Sequence, residues 1–265
     1  MGMGLTQALL LCGMKTVARM LLADIFVGPV DRLARLPTES CLFVANHTWR
    51  LDVITTTLVT RFMRRRYAVL ASKRVARALG FFKDQVGLVP VSDSPLRNIG
   101  ALKSVVASDP NTSVWIFPQA IWIPATWDVR YSVPAVADRV IKLLNRVTPV
   151  VPVHIEFITV RQIRPALVVT LGEAVPPQVM SDVSLGDLMA EVRADAKARL
   201  AASCAEYRSI LHGDGALFCG YPVRTKMVAR YGRRIFDAKE FSLTTATNGW
   251  RLAVRGESRA ETSYL

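Results

Sequence analysis

A histidine and an aspartate stand five positions apart, at His47 and Asp52, directly after the apolar run Cys41-Leu42-Phe43-Val44-Ala45. A histidine ring can take a proton from an attacking hydroxyl near neutral pH, and a carboxylate on its other nitrogen fixes the tautomer and stabilises the imidazolium. The pair therefore predicts a general base, His47, oriented by Asp52. This chemistry requires no covalent enzyme intermediate, and we expect no metal to take part.

The spacing constrains how the two side chains meet. On a continuous helix, positions five apart point in different directions, so a helical His47 would reach Asp52 poorly. If a strand ends at Ala45 and a helix begins near Thr48, His47 lies in the turn and Asp52 can reach back from the first helical turn. Thr48 is then the candidate helix cap. A structural hydrogen-bonding role for His47 at the end of the strand is the alternative.

Further sequence blocks follow His47 in a fixed order. They are Ala71-Ser72-Lys73, Gly87-Leu88-Val89-Pro90-Val91, Ile116-Phe117-Pro118-Gln119, Val150-Val151-Pro152-Val153 and Leu171-Gly172-Glu173. Together with Asn46-His47 through Asp52, which matches an NHxxxxD (HX4D) block, they resemble the glycerolipid acyltransferase family typified by lysophosphatidic acid acyltransferases. The resemblance implies that His47 and Asp52 are catalytic and that five further residues bind substrate: Asn46, Lys73, Arg97, Pro118 and Gln119.

The resemblance also implies the reaction. A fatty acyl group moves from the thioester of acyl-coenzyme A or acyl carrier protein to a hydroxyl of a lysophospholipid or related lipid, and no other cofactor is expected. Arg97 and Lys73 are candidate contacts for phosphates of the donor or acceptor, with an ordinary surface cation as the alternative for each. Backbone donors near Pro118 could stabilise the oxyanion. The Gln119 amide could both donate to and accept from a hydroxyl.

Two blocks depart from the family pattern. The second usually ends in an arginine that holds the acceptor phosphate, whereas Ser92 stands near that position and Arg97 is the first cation after it. The third usually reads Phe-Pro-Glu-Gly, whereas Gln119 and Ala120 fill its last two positions here. Because neutral side chains cannot replace a bidentate arginine, the acceptor phosphate either binds another cation or is absent. An acceptor without a phosphomonoester could be a lyso-aminolipid, a glycolipid or another lipid alcohol.

Alternating strand and helix patterns surround these blocks. Strands are predicted near residues 67–72, 86–91, 113–117, 150–155 and 167–171, and helices near 98–107, 133–146 and 185–205, with a basic helix at Lys73. The alternation predicts an α/β fold with a single sheet flanked by helices, as the resemblance to glycerolipid acyltransferases also implies. His47 and Gln119, each directly after a strand, would then lie at one edge of that sheet.

Composition suggests three regions: an N-terminal amphipathic, membrane-associating region (1–37), an acyltransferase domain (38–212) and a basic C-terminal extension (213–265). Residues 5–27 are strongly apolar but are interrupted by Lys15, Arg19 and Asp24. An interfacial helix therefore fits better than a membrane span, and a helix packed on the domain is the alternative. Four leucines are expected at the lipid boundary: Leu9, Leu10, Leu21 and Leu22.

The net charge of +13 and the pI of about 10.1 bear on partners. Such a surface attracts anionic lipids, acyl-coenzyme A and acidic acyl carrier protein. The densest cluster, residues 61–66, is predicted as a lipid or donor contact or as a solvated helix end. Nucleic acid is not expected, because no recognition motif for it is present. The four cysteines lack metal-ligand spacing and are expected to be free thiols. The expected location is the cytoplasmic face of the inner membrane.

Two rival functions fit parts of the sequence. Gln119 and Ala120 fit a catalytically decayed acyltransferase scaffold that binds lipid or acyl donors without turnover, and positive charge alone fits a basic membrane- or nucleic-acid-binding module. The intact His47 and Asp52 pair argues against both rivals. A serine hydrolase is poorly supported, because the sequence contains no G-x-S-x-G nucleophile elbow.

Overall fold

The helices and strands are taken from a computed structural model. It describes residues 5–48, 52–71, 76–77, 80, 87–90, 95–119, 133, 135–158, 165–181, 183–202 and 206–212, and the backbone of 241–246, 249–254 and 262–263. The strands of the main sheet are β1 (Ile25–Gly28), β2 (Cys41–Ala45), β3 (Arg66–Ala71), β4 (Leu88–Pro90), β5 (Thr112–Ile116), β6 (Val150–Ile158), β7 (Ala166–Leu171) and β8 (Arg208–Ser209). The α-helices are α1 (Leu5–Leu21), α2 (Val30–Ala34), α3 (Asp52–Phe62), α4 (Pro95–Ser108), α5 (Ala135–Asn145) and α6 (Leu185–Ala202).

These eight strands form one mixed sheet in the order β4-β3-β5-β2-β6-β7-β1-β8. The first five strands in that order are parallel neighbours, whereas β7 is antiparallel to β6 and β8 is antiparallel to β1. The predicted α/β fold with a single helix-flanked sheet is confirmed. Because parallel strands end at the same edge, the residues that follow β2 and β5 are neighbours there.

The central strands are apolar on both faces because helices cover both. Alternate residues of β2 point to opposite sides: Phe43 packs with residues of α1 and α3, and Leu42 packs with residues of α4, α5 and α6. All five residues of β2 are buried. This double burial explains why the strand reads as a continuous apolar run rather than an alternating one.

Helix α1 presents different faces to the protein and to its surroundings. Met14, Ala18 and Leu22 recur every fourth position and are buried in the core beside α3. The lipid-boundary prediction was therefore wrong for Leu22 and for Leu10, which also packs against the core. The opposite side remains apolar and open: Leu9 is 64% exposed, Met20 is 69% exposed, and Leu21 is exposed as well. Within the described residues, no helix combines the length and apolar character that a membrane span requires.

The strand β1 was not predicted, since its residues were included in the apolar N-terminal segment. It pairs with β7 in parallel and with β8 in antiparallel orientation. Asp24, just before it, accepts hydrogen bonds from the backbone N–H of Ile25 at 2.7 Å, the backbone N–H of Leu211 at 3.1 Å and the hydroxyl of Ser209. Residues on both sides of position 38 therefore share one sheet and one core.

A separate antiparallel sheet lies within the region predicted as a C-terminal extension. Its strands are β9 (Phe241–Ala246), β10 (Gly249–Val254) and β11 (Thr262–Ser263), with β10 in the middle.

Candidate active site

The structure brings His47 and Asp52 into contact. His47 follows the end of β2, Asp52 is the first residue of α3, and Nδ1 of the imidazole lies 2.6 Å from Oδ2 of the carboxylate. The Asp52 side chain is 1% exposed and the His47 side chain 21%. An N–H donated from Nδ1 to the carboxylate fixes the tautomer in which Nε2 can take a proton. This arrangement can serve a general base, as the spacing predicts.

Thr48 holds the same carboxylate from a second side. Its backbone N–H donates to Oδ2 of Asp52 at 2.8 Å, and its hydroxyl donates to Oδ1 at 3.0 Å. Thr48, the candidate helix cap, thus shapes the site through the side chain of Asp52. Both carboxylate oxygens have donors, so the orientation of Asp52 does not depend on His47 alone.

Helix α3 fixes where Asp52 lies. Its threonines donate to carbonyls four residues back, as Thr60 does to Thr56 at 2.7 Å, which satisfies hydroxyls inside a buried helix. The Thr56 and Tyr67 hydroxyls are 2.8 Å apart, and burial raises the pKa of Tyr67 above its usual range. The indole N–H of Trp115 donates to the Thr60 hydroxyl at 2.7 Å. Hydrogen bonds therefore join α3 to β3 and β5 beneath it.

Asn46 extends the pairing of β2 with β6 beyond the last residue of β2. Its side-chain amide donates to the carbonyl of Ile155 at 2.8 Å, and the Ile155 N–H donates back to its oxygen at 2.7 Å. The side chain is buried and fixes the direction in which the chain leaves the sheet towards His47. The predicted contact between Asn46 and substrate stays a prediction.

The residues after β5 hold His47 from the neighbouring strand. Gln119 is buried, and its Oε1 accepts the backbone N–H of His47 at 3.0 Å. The ring of Phe117 lies against the imidazole, with centroids 5.0 Å apart and planes inclined by 35°. Pro118, between them, is buried in the turn. The sequence analysis assigned Gln119 to an acceptor hydroxyl and did not predict this bond to His47. The pairing of β2 with β5 is the feature that could have indicated it.

Arg97, one of the two predicted phosphate contacts, lies farther from His47 than Gln119 does. Arg97 is exposed in the first turn of α4, which follows β4 at the edge of the sheet. Three strand spacings separate β4 from β2, which corresponds to about 14 Å across the sheet. Lys73 lies outside the described residues.

Arg65, from the basic cluster 61–66, is buried and structural. Its guanidinium donates to the Ser113 hydroxyl at 2.8 Å, to the carbonyl of Pro37 at 2.7 Å, to the carbonyl of Glu39 and to the Cys41 sulfur at 3.2 Å. Neither role predicted for the cluster therefore applies to Arg65. Burial raises the pKa of the Cys41 thiol to about 11, although the nearby guanidinium opposes that shift.

Within the described part of the chain, no group of three or more His, Cys, Asp or Glu side chains is placed to hold a metal ion.

Comparisons with known proteins point to one family. Residues 29–156 match the acyltransferase family model, and this segment contains His47, Asp52 and Gln119. The fold is similar to the crystal structure of the 1-acyl-sn-glycerophosphate (LPA) acyltransferase PlsC from Thermotoga maritima. The TM-score is 0.50 at 16% identity, over 74% of this chain and 82% of that chain. No curated protein matches the sequence.

Proposed function

We propose that this chain, whose residues 29–156 match the acyltransferase family model, is a glycerolipid acyltransferase that transfers a fatty acyl group from a thioester to a lipid hydroxyl. The observation that carries this proposal is the 2.6 Å contact between Nδ1 of His47 and the buried carboxylate of Asp52. A partly exposed imidazole oriented in this way is suited to general-base catalysis.

The reaction proceeds by direct transfer. Nε2 of His47 takes the proton of the acceptor hydroxyl as that oxygen attacks the thioester carbonyl, forming a tetrahedral oxyanion. The carbon–sulfur bond then breaks, the new oxygen ester remains, and the leaving thiolate receives the proton from the imidazolium. Asp52 stabilises the imidazolium between these two proton transfers.

Asn46 and Gln119 act as positioning residues in this mechanism. Asn46 fixes the exit of the chain from β2 through Ile155, and Gln119 fixes the His47 backbone from β5. Together they hold the imidazole at the carboxyl edge of the parallel strands. Such restraint lowers the cost of placing a base against a bound hydroxyl.

We assign acyl-coenzyme A or acyl carrier protein as the donor and a lysophospholipid or related lipid as the acceptor. The charge of +13 favours both anionic donors and anionic lipid surfaces. Arg97 and Lys73 are the proposed phosphate contacts. Arg97 follows the carboxyl end of β4, at the same edge of the sheet as His47.

Helix α1 is the proposed membrane contact. Its outward side exposes Leu9, Val17 and Met20, and Lys15 is exposed on the same helix. An amphipathic helix of this kind lies in the plane of the lipid interface with its cations at the headgroups. The proposed location is the cytoplasmic face of the inner membrane, and no cofactor other than the acyl donor is assigned.

The test is transfer of labelled acyl groups from acyl-coenzyme A and acyl carrier protein to lysophosphatidic acid, a lyso-aminolipid and a glycolipid. Wild type is compared with His47→Ala and with His212→Ala, the same change at an exposed histidine. Turnover lost only in His47→Ala supports the proposal, and the preferred acceptor answers the phosphate question. Folded wild-type protein that acylates no acceptor favours the scaffold that binds without turnover, and an unchanged rate in His47→Ala removes His47 from the mechanism.

A further inference from the structure

A cavity of about 340 Å³ lies between α1 and the edge of the sheet. Three apolar residues of α1 form one wall, Leu10, Leu11 and Met14, and Leu88 of β4 and Val105 of α4 contribute apolar surface opposite them. The volume falls within the range of about 300–1,000 Å³ typical of small-ligand pockets. It is therefore large enough for a small ligand with an apolar part.

The polar surface of the cavity is cationic. Arg61, near the end of α3, and Arg66, at the start of β3, both line it. Arg66 also pairs with Asp109 at 3.5 Å, whereas Arg61 makes no ion pair within the described part of the chain. Among the described lining residues there is no acidic side chain. Two cations beside an apolar wall suit a ligand with a negative head and a hydrocarbon tail.

The cavity lies away from His47. Its lining from the sheet comes from the beginnings of strands, at Arg66 in β3, Leu88 in β4 and Thr112 in β5. His47 follows the end of β2, which is parallel to these strands. A head group held by the arginines therefore lies at the opposite edge of the sheet from the imidazole.

We propose that this cavity binds a single-chain anionic amphiphile, with its hydrocarbon chain along α1 and its carboxylate or phosphate head at Arg61 and Arg66. The ligand contacts α1, α3 and β3 together. It therefore holds α1, the helix with the apolar outward side, against the rest of the protein. This binding is separate from acyl transfer and requires neither His47 nor a thioester.

Binding is measured on the full chain by titration calorimetry with decanoate and decyl phosphate, which distinguish the two head groups. Decanol, acetate and inorganic phosphate test the head and the tail separately. Arg61→Gln is compared with Arg64→Gln, a matched change at an exposed arginine that does not line the cavity. Ser108→Trp, at an exposed lining position, places an indole at the cavity without altering either cation.

Both decyl anions should bind wild type, and decanol should bind about 100-fold more weakly, as expected for the loss of charge-assisted contacts to both arginines. Arg61→Gln should weaken the anions by about tenfold because one such contact is lost, Arg64→Gln should leave them unchanged, and Ser108→Trp should abolish binding. Equal binding of decanol, equal effects of the two arginine variants or full binding by Ser108→Trp would overturn the proposal. No acyl donor is present, so these outcomes are independent of the transferase assay.

Discussion

The Oε1 atom of Gln119 accepts the backbone N–H of His47 at 3.0 Å, which ties the turn after β5 to the turn after β2. The family pattern places a glutamate at this position. Either a carboxylate or an amide oxygen can accept this hydrogen bond, but the carboxylate also carries a negative charge. Gln119 therefore keeps the restraint on His47 without adding a second anion beside Asp52.

Replacing Gln119 by alanine should reduce kcat/KM about tenfold, because a missing acceptor releases the His47 backbone and costs roughly one hydrogen bond. The measurement is the initial rate of acyl transfer with the preferred donor and acceptor. Thermal unfolding of the same preparations separates a local loss of position from a loss of folded protein. A rate equal to wild type would show that the bond has no catalytic role.

Asp52→Asn should lower the rate by about 100- to 10,000-fold, the usual range for losing general-base catalysis. The amide can no longer stabilise an imidazolium, although it retains an oxygen for the Thr48 hydroxyl. Asp187→Asn is the matched control, because Asp187 also lies in the first turn of a helix but is exposed on α6. Equal rates in the two variants would remove Asp52 from the mechanism.

Cys41 should resist thiol reagents in the folded chain. Burial raises the pKa of Cys41 from 9.0 to about 11, whereas Cys12 is exposed. In a chain carrying Cys204→Ser and Cys219→Ser, one thiol should react quickly at pH 8 and the second only after unfolding. The raised pKa also links Cys41 to the free energy of unfolding. Because burial raises the folded-state pKa of Cys41, the contribution of its neutral thiol to stability is complete below about pH 9 and is lost as pH rises through about 11. Two fast thiols in native protein would contradict the prediction.

Arg65→Met should destabilise the fold by about 3 kcal/mol, because two backbone carbonyls and the Ser113 hydroxyl lose their buried donor. Arg64→Gln, at the neighbouring exposed position, should change the free energy of unfolding by no more than about 0.5 kcal/mol. Urea unfolding of both variants measures the difference. Similar midpoints and slopes for the two would show that Arg65 is not a structural anchor.

Strands β2 and β5 were predictable because each contains a short apolar run, which Asn46 ends after β2 and Pro118 ends after β5. The runs ending at Ala45 and Ile116 are buried on both faces in a parallel sheet, and that environment produces this pattern locally. β1 was not predictable in the same way. Its partners are β7, with Ile25 opposite Leu167, and β8, so its identity depends on residues far along the chain.

The two contacts of His47, with Asp52 and with Gln119, differ in the sequence distance that separates the partners. The relation of His47 to Asp52 spans five positions, and a strand–turn–helix reading was enough to predict their meeting. The bond from His47 to Gln119 joins residues 72 positions apart. It exists because β5 lies beside β2, and that order of strands is a tertiary property that no local pattern specifies.

Aspartate substitutions on the two sides of α1 should affect different properties: vesicle binding on the exposed side and the free energy of unfolding on the buried side. Leu9 and Met20 are 64% and 69% exposed, so Leu9→Asp combined with Met20→Asp should leave the free energy of unfolding nearly unchanged. The same double variant should lose most of its binding to anionic lipid vesicles, because it removes the proposed apolar contact and adds repelling charge. Met14→Asp, on the buried side of the helix, should instead destabilise the protein because it buries an unpaired carboxylate. Vesicle sedimentation together with chemical unfolding measures both properties. Undiminished vesicle binding by the Leu9 and Met20 double variant would move the membrane contact away from α1.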